Sequence, residues 1–314
     1  MSSSSMLRNV RTALSTNKYM TAGLAIVLAD LVFGIIGALW TPYPPNAMFN
    51  PSQPPSLAHL LGTDGYGHDV FSEMMADTLP TLLVGFAVGL GNALIALVVG
   101  LVGGYYGEGI WGAVIDVATI LALTIPGIIL LVVIGAYFAS AKAALGYGVV
   151  VLALSLTGWA WGAKVIRSQV LSISKEEYIL ASKIVGERSS RIIFGQVLPP
   201  VLPLAVGGFL FGTLYGILSL VTAEFWGVIP VSTQNLGTML SLIASSGAYL
   251  TNQWWWILGA MLPILVLAVG IGFMNIGFDQ IADPRLKEQK TTSQEKIQVS
   301  TDEGEIEVLL KETS

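Results

Sequence analysis

Thr21–Trp40 reads TAGLAIVLADLVFGIIGALW, a run whose one charged residue is Asp30. About 20 apolar residues, rising 1.5 Å each in a helix, cross the roughly 30 Å hydrocarbon core of a bilayer. A cleaved signal peptide is the competing reading. The run is too long for that, and Pro42-Tyr43-Pro44-Pro45 follows it in place of a small-residue cleavage site. Working outward from this segment, long apolar blocks return at Leu79–Tyr105, Ile110–Phe138, Gly146–Ala163, Pro200–Gly227 and Trp254–Phe278. Together these predict an all-α polytopic membrane protein with about six transmembrane helices. The composition agrees: 54% of the chain is hydrophobic and 11% charged, against about 25% charged in soluble chains. The mean hydropathy is +0.72.

The spans divide the chain into residues 1–20, a polar N-terminal segment; 21–278, the membrane domain; and 279–314, a hydrophilic tail read as partly disordered. Within the membrane domain lie a Pro- and Gly-rich loop at 41–77, a charged segment at 164–199 and a mostly uncharged loop at 228–253. Basic residues orient the spans. Arg8, Arg11 and Lys18 precede the first span. Lys164, Arg167, Lys175, Lys183, Arg188 and Arg191 fill the charged segment, and Arg285, Lys287, Lys290, Lys296 and Lys311 follow the last span. Six spans put all three groups on one side and leave only Lys142 on the other. Both termini and the 164–199 segment are therefore expected in the cytoplasm, with the 41–77 and 228–253 loops outside.

Enzyme chemistry finds no support. The chain has no Cys and only two His, His59 and His68, which excludes disulfides and thiolate sites. No G-x-x-x-x-G-K-S/T, H-E-x-x-H or G-x-S-x-G pattern occurs. Any ATP hydrolysis must then occur on another chain. Asp64, His68 and Asp69 invite a metal reading, but carboxylates in a Gly-rich turn commonly cap backbone N–H groups, and that reading is preferred. Asp30, in mid-span, and Glu224, near a span end, are path candidates, because ionisable groups in a bilayer are costly. For Glu224, snorkelling to the interface is the preferred account. Asp116 reads as an interfacial acid, and Pro126 is expected to kink the third span. Trp254–Trp256 read as an interfacial aromatic belt. Gly100, Gly103, Gly104 and Gly107 suit close helix packing.

The most informative stretch is KVIRSQVLSISKEEYILASKIVGERSSRIIFGQVLP, Lys164–Pro199. Ser174 with Glu176 and Glu177 signals a helix start. Tyr178–Val185 forms a short amphipathic helix with Ile179, Leu180, Ile184 and Val185 as its apolar side. Gly186 is placed to cap it. A second helical stretch, Ser189–Leu198, is expected to end at Pro199 and Pro200. Such a unit either docks on a soluble partner or lies on the lipid surface; the pattern alone serves both.

This segment resembles the coupling loop of ABC-importer permeases, which carries a Glu-Ala-Ala triplet, a Gly shortly after and a Leu-Pro end. Tyr178, Leu180, Ala181, Ser182, Lys183 and Gly186 occupy the first part here, and Val197, Leu198 and Pro199 the end. Leu180 stands for the Glu, and Ser182 for the second Ala. Pro55–Met75, PSLAHLLGTDGYGHDVFSEMM, resembles the outward-loop signature of the dipeptide/oligopeptide/nickel class through Gly62, Thr63, Asp64, Gly67 and Asp69. His68 occupies the position where that class usually has Arg. Ala282-Asp283-Pro284-Arg285-Leu286, Trp254–Trp256 and Asn275 are similar to the same class, and Asn275, within the last span, is the third path candidate. Glu224 matches an acidic residue that it carries.

The resemblance implies one permease of a heterodimer in a prokaryotic cytoplasmic membrane. It works by alternating access with two ATPase subunits and an extracytoplasmic solute-binding protein. The outward loops would meet the binding protein. ATP and Mg belong to the ATPases, and no cofactor or metal is expected on this chain. Short peptides are the first expectation for the solute, with oligosaccharides or nickel as alternatives. A secondary transporter or channel, which would need a charged mid-membrane path, is the distant rival.

Overall fold

A computed structural model describes residues 17–107, 109–141, 146–226 and 234–282. Arg8, Arg11, Lys142, the first part of the 228–253 loop and the tail after Ala282, including Asp283–Leu286, lie outside the described residues. The elements are α1 (Lys18–Leu39), α2 (Val70–Tyr105), α3 (Ile110–Thr124), α4 (Gly127–Ser140), α5 (Tyr147–Ile173), α6 (Glu177–Ile184) and α7 (Ser189–Ile192). A π turn at Ile193–Val197 follows, then α8 (Leu198–Phe225), α9 (Leu236–Ser246) and α10 (Trp254–Ala282). Among the described residues the only bridge of β type is the isolated pair Thr63 and Asp69.

Five helices are long and apolar enough to cross a membrane, and α3 with α4, bent by 67° at their break, brings the number to six where the pair counts as one span. The bend falls where Pro126 was expected to kink the span. Proline has no N–H to donate and its ring crowds the preceding turn, so α3 stops at Thr124 and α4 restarts at Gly127.

The other differences from the expected spans lie at helix ends. Residues 70–77, expected in the first loop, are the opening turns of α2, with Asp69 as N-cap accepting from the Ser72 N–H. The fourth span runs past Ala163 to Ile173, so residues 164–173 of the charged segment are helix. The helix at Ser189 does not end at Pro199. Pro199 and Pro200 occupy the first turn of α8, where a missing N–H leaves no intrahelical bond unmade. The π turn takes up the change, with the Leu198 N–H donating to Ile193 O. The 228–253 loop holds a helix, α9, with a full capping box at Asn235 and Thr238.

The described residues divide into two compact units: 17–22 with 272–282, and those from 23 to 271. In the first, Asn17 caps α1 by accepting from the Tyr19 and Met20 N–H groups, and its Nδ2 donates to Gly277 O at 3.1 Å. The second is built around α2. A Cβ at Gly100 would lie 2.7 Å from Ile166 Cγ2, so only glycine lets α5 approach this closely. Three apolar clusters follow one another along α2. Val70 joins Met239, Ile243, Trp255, Trp256 and Ala260 at its start. Val84 and Val88 join Leu131, Leu154 and Leu220 midway. Leu101 joins Ile166, Val170, Ile179, Ile192 and Val197 at its end. The first loop therefore sits at one end of α2, and the α6–α7 segment at the other.

Candidate coupling site and polar loop

The helix expected at Tyr178–Val185 is α6, with Glu177 in its first turn and Lys183 in its last. Its end is a complete Schellman motif. The Gly186 N–H donates to Lys183 O at 3.1 Å and the Glu187 N–H to Ser182 O at 3.0 Å, with Gly186 at φ +79°. A Cβ at Gly186 would meet nothing within 4 Å, so glycine is required there by backbone conformation alone.

The apolar side expected from sequence splits in two. Ile179 is fully buried in the cluster with Ile192 and Val197. Leu180 is exposed, and Ile184 and Val185 are 86% exposed. Tyr178 and Ala181 lie on the same open face. Ser182 and Lys183 take the inner side. Ser182 Oγ donates to Tyr178 O at 3.0 Å and accepts from Gln196 Nε2 at 3.1 Å. Gln196 Nε2 also donates to Glu187 Oε2 at 3.0 Å. Lys183 Nζ stands 4.9 Å from the centre of the Tyr105 ring, a cation–π contact. Of the Val197-Leu198-Pro199 end, Val197 is fully buried, Leu198 half-buried and Pro199 exposed. Nearby, Arg167 donates from Nε to Gly103 O at 3.0 Å and pairs with Asp116. Asp116 thus ties α3 to α5, which the interfacial reading missed.

At the other end of α2 the five loop-motif residues assemble into one knot. Gly62 and Gly67 hold φ of +64° and +96°. Thr63 Oγ1 donates to Asn50 O at 2.7 Å and accepts the Gln53 N–H at 2.8 Å. Buried Asp64 accepts the Tyr66 and His68 N–H groups on Oδ1 at 2.8 and 2.7 Å. Asp69 accepts the Ser72 N–H at 2.9 Å and Ser72 Oγ–H at 2.6 Å, and lies 2.8 Å from His59 Nδ1. Asp69 is thus engaged by Ser72 and His59, and among the described residues it makes no hydrogen bond to the Asp64 or His68 side chain. The structure brings Glu73 to them instead, His68 Nδ1 lying 3.0 Å from Asp64 Oδ2 and 3.6 Å from Glu73 Oε1.

Of the three tryptophans read as an aromatic belt, only Trp254 is exposed. Trp256 is fully buried, and Trp255 Nε1–H donates to Thr63 O at 3.1 Å. The rings fill the space beneath the loop.

The three path candidates differ. Asp30 is buried, and its Oδ2 has no hydrogen-bond partner among the described residues. Glu224 does not snorkel. It is 2% exposed, because α9 covers it, and its Oε1 accepts from Asn235 Nδ2 at 2.8 Å. Asn275 is half-buried and belongs to the other compact unit. None of the three lines the apolar hollow of ≈ 340 Å³ bounded by Leu79, Pro80, Leu83, Val84, Tyr147 and Val151. Asn92, in the uncharged core of α2, is 3% exposed, and neither side-chain polar atom is hydrogen-bonded among the described residues. Its signal in the sequence was a lone amide inside an apolar run. Glu73 and Gln196 gave no such signal, since polar residues at span ends are ordinary.

Comparisons with known proteins agree with this architecture. The profile of the family "binding-protein-dependent transport system inner membrane component" matches residues 96–288. The chain is similar to the dipeptide transport system permease protein DppC of Bacillus subtilis, 29% identical over 87% of this chain and 84% of that one. It is likewise similar to DppC of Alkalihalophilus pseudofirmus, 30% identical over 87% and 88%. The oligopeptide transport system permease protein OppC of Bacillus subtilis is 24% identical over 87% of each chain. A multi-pass bundle with these matches over most of its length belongs to the family of inner membrane components of binding-protein-dependent transport systems.

Proposed function

We propose that this chain is one of two permease subunits in an ATP-driven importer of short peptides, with separate ATPase subunits docking on α6. One observation carries the reading: α6 turns Leu180, Ile184 and Val185 outward while Ile179 holds it to the bundle. An apolar helical face on a firm mount suits a groove in a soluble partner. The basic residues Lys164, Arg167, Lys175, Lys183, Arg188 and Arg191 cluster at this end, which supports a cytoplasmic placement. The 40–69 loop then faces outward, where a solute-binding protein would deliver the peptide.

ATP and Mg²⁺ act on the partner ATPases. Closure of the ATPase pair would displace α6. Ile179 shares a cluster with Leu101 of α2, Ile166 of α5 and Val201 of α8, so the displacement would pass into three spanning helices and bias alternating access. Peptides are favoured over oligosaccharides or nickel by the names of the dipeptide and oligopeptide relatives.

The test is purification of the tagged chain from native membranes in mild detergent, with mass spectrometry of the partners. An ATPase, a second permease and a peptide-binding protein are expected. A chain that purifies alone as a stable homo-oligomer overturns the importer reading. Recovery with a sugar-binding or nickel-binding protein overturns only the peptide assignment.

A further inference from the structure

We propose that Asp64, His68 and Glu73 form a zinc site that staples the first loop to the start of α2. One oxygen from each carboxylate and one imidazole nitrogen all lie within 4.8 Å of one another. The two measured separations from His68 Nδ1, 3.0 Å to Asp64 Oδ2 and 3.6 Å to Glu73 Oε1, bracket the ~3.3 Å between ligands of a tetrahedral zinc with bonds of about 2.0 Å.

The independent observation is Glu73 itself. Its side chain is nine-tenths buried, its Oε2 has no hydrogen-bond partner among the described residues, and its Oε1 lies beyond hydrogen-bond reach of His68. A buried carboxylate left unsatisfied beside a second buried acid is costly, and a cation shared by both removes that cost.

The surroundings are already arranged. Asp64 Oδ1 is fixed by the Tyr66 and His68 N–H groups, leaving Oδ2 for the ion, as an oriented outer shell requires. Asp69 is occupied by Ser72 and His59 and takes no part. His68 is 20% exposed, which opens the site to the loop surface. Calcium and magnesium prefer all-oxygen sets of six or more ligands, whereas one imidazole with two carboxylates suits zinc. His68 would bind through the Nδ1 lone pair as the Nε2–H tautomer, and water would complete the tetrahedron. The sequence reading weighed Asp64, His68 and Asp69 and preferred a plain turn. Exchanging Asp69 for Glu73 is what changes the conclusion.

The test is calorimetric titration of zinc chloride into the full chain in lipid nanodiscs, after chelator treatment. One ion per chain is expected. H68R, which supplies the Arg usual at this position in the class, and E73Q should each weaken binding at least ~tenfold, about 1.4 kcal/mol. H59Q should bind as the unaltered chain does. Hydrogen exchange of residues 64–73 should slow with zinc in the unaltered chain and in H59Q, and stay unchanged in H68R and E73Q. Should E73Q not fold, H68R decides alone. No saturable binding by the unaltered chain, or equal binding by H68R, overturns the site.

Discussion

At the loop end of α2, Thr63, Asp64 and Asp69 are buried, and each makes at least two hydrogen bonds within the chain. At the coupling end, α6 is held by one fully buried side chain, Ile179, and a small clip through Gln196, while its apolar residues face out. The loop end completes itself. The coupling end leaves Leu180, Ile184 and Val185 exposed, with nothing among the described residues packed over them, and it is on this face that we propose the ATPase docks. Firm mounting with an open face is the arrangement that the proposed coupling role requires.

Substitutions at the two ends should therefore part company. The largest effect is expected from Ile179→Ala. Removing its buried methyl groups among Ile192 and Val197 should cost about 2–5 kcal/mol. Hydrogen exchange should rise sharply across residues 177–197 and uptake should fall at least ~tenfold, with the 40–69 loop unchanged. Loss of protection in the loop as well would mean that the two ends are not separate.

Asp64→Ala inverts the pattern. It leaves the Tyr66 and His68 N–H groups without their acceptor, at about 1–3 kcal/mol for each one left unsatisfied. The melting temperature of the detergent-solubilised chain should drop while exchange in α6 stays put.

Gly186→Ala is milder. The space is open, so the strain is that of a left-handed residue, about 1–2 kcal/mol. Gly186→Asn should recover part of the loss, since Asn tolerates that conformation. Equal loss in both variants would point to a contact at this position and away from backbone strain.

The smallest effect on the chain itself should come from Ile184→Ser. With 86% of the side chain exposed, stability should move by no more than about 0.5 kcal/mol. Recovery of the ATPase on co-purification should fall clearly. An unchanged recovery would show that the open face of α6 is not the docking surface.

Much of this was legible in the chain. Six spans, the broken third span at Pro126, the short helix before Gly186 and the knot at Gly62–Asp69 all follow from local rules: apolar length, the missing N–H of proline, and glycine's access to positive φ. The misreadings share a cause. Trp255, Trp256 and Glu224 were assigned to the interface from their positions near span ends, yet the loop and α9 fold back over them and bury them. Residues 70–77 were counted with the polar, Pro- and Gly-rich stretch before them, yet they are the opening turns of α2, where Glu73 and Asp77 are buried.

By itself the sequence determined the membrane-spanning all-α architecture and the place of the short helix α6, because hydropathy and helix capping act over a few turns of one segment. Only the tertiary structure decided which residue of α6 is anchor and which is surface, and which acid joins Asp64 and His68. Those are choices among neighbours distant in the chain, set by how α2, α5, α8 and the first loop pack, and no local pattern carries them.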